Sequence, residues 1–114
     1  MAIISTALDL FRTGNTTEPK RLDYFRSGEI VTSIKNGIEW VCGPKQGGAS
    51  MFDAPIGRRG TWYVLPKGTG YNDLILFVWN DYAKHWSLEP AKDMPLTVYA
   101  NALKILNTSF NRVP

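Results

Sequence analysis

A small α+β fold with a mostly antiparallel sheet is what this sequence predicts, and three observations carry it. Runs rich in β-branched and aromatic residues, punctuated by Gly, Pro and Asn-Gly, fill the middle of the chain. One amphipathic repeat of helical spacing closes it. Strands and helices do not alternate in the βαβ manner.

The elements follow in order. Residues 3–12 read as a strand, with Leu8, Leu10 and Arg12 on one face by the two-residue period. Residues 14–17 are a turn cluster. Residues 18–25 suit a short helix, with Thr17 as N-cap, Pro19 at the first position and Gly28 beyond its end. Residues 30–34 and 38–41 flank Asn36-Gly37, the dipeptide that two-residue hairpin turns favour. Residues 43–48 are a loop, and residues 61–65, 74–79 and 85–89 are strands. Leu96, Tyr99, Leu103, Leu106 and Phe110 recur at three and four and give the last helix its apolar face, with Asp93 placed to cap it and Pro95 in its first turn.

The 114 residues make one domain, 1–114, long enough to bury roughly two-thirds of the unfolded surface. No repeat or low-complexity segment interrupts it. A net charge of +3 implies attraction to anions: a dinucleotide phosphate, a nucleic acid or an acidic protein. A weakly basic solvated surface explains the same charge. Cys42 is alone, so an internal disulfide is excluded, and its neighbours Trp40 and Val41 suggest a thiol packed in a strand. A reducing, cytoplasmic setting fits. The first ten residues lack a positive n-region and a long apolar stretch, and no run nears the roughly 18 apolar residues of a spanning helix, so neither a cleaved leader nor a membrane is expected.

Two segments carry the candidate chemistry. In Gly47-Gly48-Ala49-Ser50-Met51-Phe52 the glycines permit positive φ and close approach of a ligand, with amides able to hold a phosphate or carboxamide. Ser50 then presents its hydroxyl, with Phe52 on the same face of a continuing strand. The competing reading is a loop that Ser50 merely solvates. In His85-Trp86-Ser87-Leu88-Glu89, alternation sets His85, Ser87 and Glu89 on one face and Trp86 and Leu88 on the other. A histidine, a hydroxyl and a carboxylate in a row can bond a ribose and perform acid–base work near neutral pH. An edge strand with one wet face is the alternative. Arg12, a guanidinium on an apolar face, needs a partner, either an internal carboxylate or a ligand phosphate. Arg58 and Arg59 suit a pyrophosphate clamp or simple turn solvation.

One His and one Cys exclude a credible zinc site, and no metal is expected. The phosphate-cradling GxxxxGK[ST] and GxGxxG patterns are missing.

The order of Leu10-Phe11-Arg12, Gly47-Gly48-Ala49-Ser50-Met51-Phe52-Asp53, Arg58-Arg59, residues 63–69, His85-Trp86-Ser87 and residues 90–94 resembles toxins exported by bacterial type VI secretion systems that have an ADP-ribosyltransferase-like fold. The match spans roughly residues 8–103. It implies a split β-sheet around an NAD cleft, action in a bacterial cytoplasm, NAD as co-substrate, and a cognate immunity protein, expected to be acidic if it covers a basic cleft mouth. By position, Ser50 matches the hydroxyl of the glycine-turn motif, His85 the histidine opening the later strand, and Arg12 the arginine that helps hold NAD. The residue before the serine is often Thr in these toxins and is Ala49 here. Glu89 stands where the pattern fixes no carboxylate.

The resemblance therefore implies an NAD-dependent ADP-ribosyltransferase. Arg12 and Arg59 would position the pyrophosphate, and Gly47-Gly48 would accept the nicotinamide end. Ser50 and His85 would bond the nicotinamide or its ribose beside Phe52 or Trp86, with Glu89 facing the oxocarbenium-like ribose. With water as acceptor, the same site is an NAD glycohydrolase. A basic, aromatic-rich nucleic-acid-binding module is the rival class, and an RNA-cleaving toxin using His85 and Glu89 is a third reading.

Overall fold

The computed structural model describes residues 3–55 and 60–114. Eleven short strands and one helix are present among them: β1 (Ile3–Ser5), β2 (Leu10–Gly14), β3 (Thr32–Lys35), β4 (Ile38–Val41), β5 (Ala49–Phe52), β6 (Thr61–Leu65), β7 (Gly70–Asn72), β8 (Leu76–Tyr82), β9 (His85–Pro90), β10 (Met94–Pro95), α1 (Leu96–Asn107) and β11 (Asn111–Arg112). All pairings are antiparallel. The main sheet runs β11-β6-β2-β5-β9-β8, and two smaller sheets pair β1 with β7 and β10-β4-β3. This is an α+β fold of mostly antiparallel sheet with one C-terminal helix.

The main sheet divides in the middle. β2 follows β6 through five residue pairs, and β5 follows β9 through four, yet β2 and β5 meet at the single pair Phe11↔Phe52. Beyond that pair the strands part, and Arg12 occupies the fork, donating from Nη1 to the Ser50 carbonyl at 2.5 Å. One face of the sheet supplies Leu10, Ala49, Met51, Leu65, Leu76 and Leu88 to the core. α1 covers them with Tyr99, Leu103 and Leu106. Burying such side chains stabilises by about 1.5–3 kcal/mol each.

The hairpin at Asn36-Gly37 forms as the sequence dictates. Both turn residues take positive φ, 52° and 75°, and Thr32 to Lys35 pair in register with Val41 to Ile38. β6 coincides with the strand expected at 61–65, and β9 begins at His85 as expected and runs one residue past 89.

Other expectations are corrected. Residues 3–12 form two strands rather than one, because β1 pairs with β7 and β2 with β6 in different sheets. Residues 18–25 are not helical. Asn15 Oδ1 accepts from the Thr17 and Glu18 amides in place of a Thr17 cap, and Lys20 N–H bonds Thr13 O. The Lys20 and Arg21 carbonyls are captured by Arg12. A segment whose polar groups are taken by long-range partners has none left for an i→i+4 ladder. Asp93 does not cap α1; it accepts from Gly43 N–H, and Pro95 precedes the helix without a side-chain cap. Phe110 lies beyond α1 yet still packs on the core. Smaller shifts place Leu74 in an exposed turn ahead of β8 and half-buried Cys42 just after β4.

Candidate functional site

The face of β5 and β9 turned away from the core carries the candidate chemistry. Ser50 opposes Ser87 and Phe52 opposes His85, so the period-two expectation for both segments holds in space. β8 extends the rows, with Trp79 opposite Ser87, Phe77 opposite Glu89 and Tyr82 opposite His85. Two polar hollows open here, of about 190 and 380 Å³, and Glu29, Ser50, Tyr82 and His85 line both. They form a wall between two lobes of one cleft. The first lobe is cationic, with Arg12, Lys20 and Arg26. The second adds Lys45, Trp79, Asp81 and Glu89.

Arg12 is 5 % exposed, and each of its three nitrogens donates to a backbone carbonyl. Nε donates to Lys20 O at 2.7 Å, Nη1 to Ser50 O at 2.5 Å and Nη2 to Arg21 O at 3.0 Å. The expected partner is a carboxylate or a phosphate; three carbonyls serve instead, that of Ser50 where β5 parts from β2 and those of Lys20 and Arg21 in the irregular segment after β2. Burial pulls the guanidinium pKa below its ordinary value, while the Glu29 carboxylate acts in the opposite sense. Lys20 is lowered too, by burial and then by Arg26 and Arg12. Three cations and the Glu29 carboxylate share this lobe.

The Gly47-Gly48 turn is filled by protein. Gly47 has φ 109°, and a Cβ there would meet Glu29 O at 2.4 Å; at Gly48 it would meet Leu88 O at 2.3 Å. Gly47 lets the segment bearing Glu29 approach the start of β5, and Gly48 lets β9 do so. The close approach they allow is to backbone. They still form part of the second lobe.

That packing explains Glu29, which the sequence reading did not single out. Its Oε2 accepts from Ser50 Oγ at 3.4 Å and its Oε1 from Arg26 N–H at 3.2 Å. No local signal marks it, since it lies 21 residues from Ser50 in an irregular segment. Glu89 is 3 % exposed, and its Oε1 takes the Lys45 N–H at 2.5 Å. Of the two carboxylates, Glu29 is the one on the serine.

His85 is held on several sides. Tyr82 stacks on it at 4.7 Å with an 11° interplanar angle, Phe52 meets it edge-on at 5.4 Å, and Nδ1 lies 2.6 Å from Asp81 Oδ1. Asp81 was also missed, though a signal existed: acid and histidine four residues apart flank a hairpin turn. Trp62 is buried and Trp79 and Trp86 are half-buried, so these indoles belong to the sheet. Arg58 and Arg59 lie outside the described residues. Among the described residues, no group of three or more His, Cys, Asp or Glu is placed to hold a metal, and no helix is long and apolar enough to cross a membrane. An apolar groove of about 600 Å³ beside α1 carries no carboxylate, histidine or cation.

A family model described as Tse2 ADP-ribosyltransferase toxin matches residues 10–113. This chain belongs to that family. The match runs from the start of β2 past the end of β11 and takes in both lobes of the cleft. No curated protein and no solved structure matches the chain. As a Tse2-family toxin it is an ADP-ribosyltransferase, and NAD is its co-substrate.

Proposed function

We propose that this Tse2-family toxin breaks the nicotinamide–ribose bond of NAD in the two-lobed cleft, on a split sheet of ADP-ribosyltransferase type, and passes ADP-ribose to an acceptor inside a bacterial cytoplasm. The observation that carries this reading is the shared wall: a hydroxyl, a carboxylate and an imidazole between two lobes, one of them cationic. A dinucleotide needs such an arrangement, because its reactive ribose lies between an anionic pyrophosphate and a neutral-to-cationic base.

Arg12 works at the pyrophosphate through its charge. Three of its five N–H groups are committed to carbonyls, so Lys20 and Arg26 share the contact. Arg59 is proposed with them as a further cation on the phosphates. Gly48 shapes the base end. Ser50 and His85 bond the ribose or nicotinamide, and Phe52 packs beside it through the edge it turns to His85.

As the glycosidic bond lengthens, positive charge grows on the ribose, and a fixed carboxylate lowers that barrier. Glu29 supplies it through Ser50, and Glu89 contributes field from the second lobe. Water in the acceptor position makes the same site a glycohydrolase. Export by a type VI secretion system and neutralisation by an acidic immunity protein complete the reading, the latter supported by the cationic lobe.

The test is growth after cytoplasmic induction of the parent chain, Ser50→Ala and His85→Ala, each confirmed folded, with NAD measured in the same cultures. Arrest and NAD loss with the parent alone support the site. Folded variants as toxic as the parent would sink it. Degradation of RNA by purified protein without NAD would replace it with the ribonuclease reading.

A further inference from the structure

The hairpin joining β8 to β9 departs from regular pairing at one place. Asn80 opposes Trp86 and Tyr82 opposes His85, which leaves Asp81 as an extra residue without an opposite number. Such a bulge re-aims side chains, and bulges concentrate next to active sites. In unbroken alternation Asp81 and Tyr82 would point to opposite faces. Here both reach His85: the Asp81 carboxylate lies 2.6 Å from Nδ1, and the Tyr82 ring stacks at 4.7 Å.

The turn is pinned in this shape. Ala83 takes φ 45°, a conformation disfavoured for a residue with a Cβ. The Asn80 amide donates to both Ala83 O at 2.9 Å and His85 O at 2.8 Å. With Phe52 edge-on at 5.4 Å, the imidazole is fixed in position and tilt. Nδ1 is committed to an acceptor that is itself only 22 % exposed, while Nε2 has no hydrogen bond among the described residues.

We propose that Asp81 is a positioning residue for His85. By accepting the Nδ1 proton it holds the neutral ring in the Nδ1–H tautomer and leaves Nε2 as the basic nitrogen for the cleft. An imidazole offers one donor and one acceptor, and the bond made by one nitrogen decides the role of the other. Asp81 does not touch substrate. It acts through His85, as outer carboxylates act on catalytic or metal-bound imidazoles, where their loss costs roughly 10–100-fold in function. The catalytic part of the proposal rests on the NAD reading above; the tautomer does not.

The chain contains one histidine, so its ring nitrogens give unambiguous NMR signals. The full-length parent, Asp81→Asn, Asp81→Ala and Ser50→Ala are compared by ¹⁵N spectra at a pH where the ring is neutral, and by NAD turnover. Backbone spectra establish that each is folded. The expected result is a protonated Nδ1 in the parent and Ser50→Ala, and a shift toward Nε2–H in both Asp81 variants. Their turnover number for NAD falls roughly 10–100-fold with KM little changed. If the Asp81 variants keep the Nδ1–H tautomer, the proposal is overturned. A parent that shows the tautomer dependence yet consumes no NAD upholds the positioning and overturns the NAD reading alone.

Discussion

Arg12 donates to the main-chain carbonyl of Ser50 at 2.5 Å, across the fork where β2 and β5 part. The guanidinium therefore sets the position of the candidate serine while closing a gap in the sheet. Arg12→Leu removes donors from three inward carbonyls and is expected to destabilise by on the order of 3 kcal/mol. Arg12→Lys recovers only part, since a compact ammonium cannot span three acceptors as a planar fork does. Urea unfolding checks this. A midpoint for Arg12→Leu equal to the parent's would show that the carbonyls find other partners.

Gly48→Ala is expected to cost about 1–3 kcal/mol, because its Cβ would fall 2.3 Å from Leu88 O in backbone that cannot step aside. Gly37→Ala has open space around it and only its φ of 75° against it, so about 1 kcal/mol is expected. The comparison separates crowding from conformation. Thermal unfolding of the two proteins should rank Gly48→Ala clearly below Gly37→Ala; the reverse order refutes the packing argument.

The features legible in the sequence are those that local chemistry decides. Asn36-Gly37 carries its own turn preference, the spacing of Tyr99, Leu103 and Leu106 defines a helix face, and period two sets Ser50 with Phe52 and His85 with Ser87 and Glu89. What escaped is decided by partners and registers that periodicity does not encode. Residues 18–25 have helical start signals, yet Arg12 and Asn15 take the groups a helix would use. Glu29 reaches Ser50 only because Gly47 lets two backbones touch. Asp81 faces His85 because one residue is inserted into β8. Neither register slips nor long-range capture of carbonyls leaves a trace in periodicity.

Tyr99 ties α1 to the site strands. Its hydroxyl donates to Leu88 O at 2.5 Å and accepts from Ala49 N–H at 3.3 Å. Tyr99→Phe leaves two buried backbone groups unpaired and is expected to cost about 1–3 kcal/mol. Burial pushes the phenol pKa well above its ordinary 10.0. The neutral form is the one the fold favours, so the contribution is intact below about pH 10 and declines as pH rises above it, where the unfolded tyrosine ionises. Stability followed from neutral to strongly alkaline pH should fall less steeply in Tyr99→Phe than in the parent. Parallel curves would count against this linkage.

Glu29 and Glu89, two of the carboxylates lining the cleft, make the sharpest comparison. Glu29 accepts from Ser50 Oγ at 3.4 Å, whereas Glu89 is almost wholly buried and accepts the Lys45 N–H. Glu29→Gln keeps size and one acceptor oxygen but removes the charge that the proposed reaction sets against the ribose, so NAD turnover should fall by about 100-fold or more with stability little changed. Glu89→Gln retains an oxygen for Lys45 and should lower turnover only modestly. Glu89→Leu leaves that amide without its acceptor and should destabilise by about 1–3 kcal/mol. Turnover and urea midpoints measured on all three decide the assignment. If Glu89→Gln abolishes turnover while Glu29→Gln is active, the carboxylate of the reaction is Glu89, and Glu29 serves only to place Ser50.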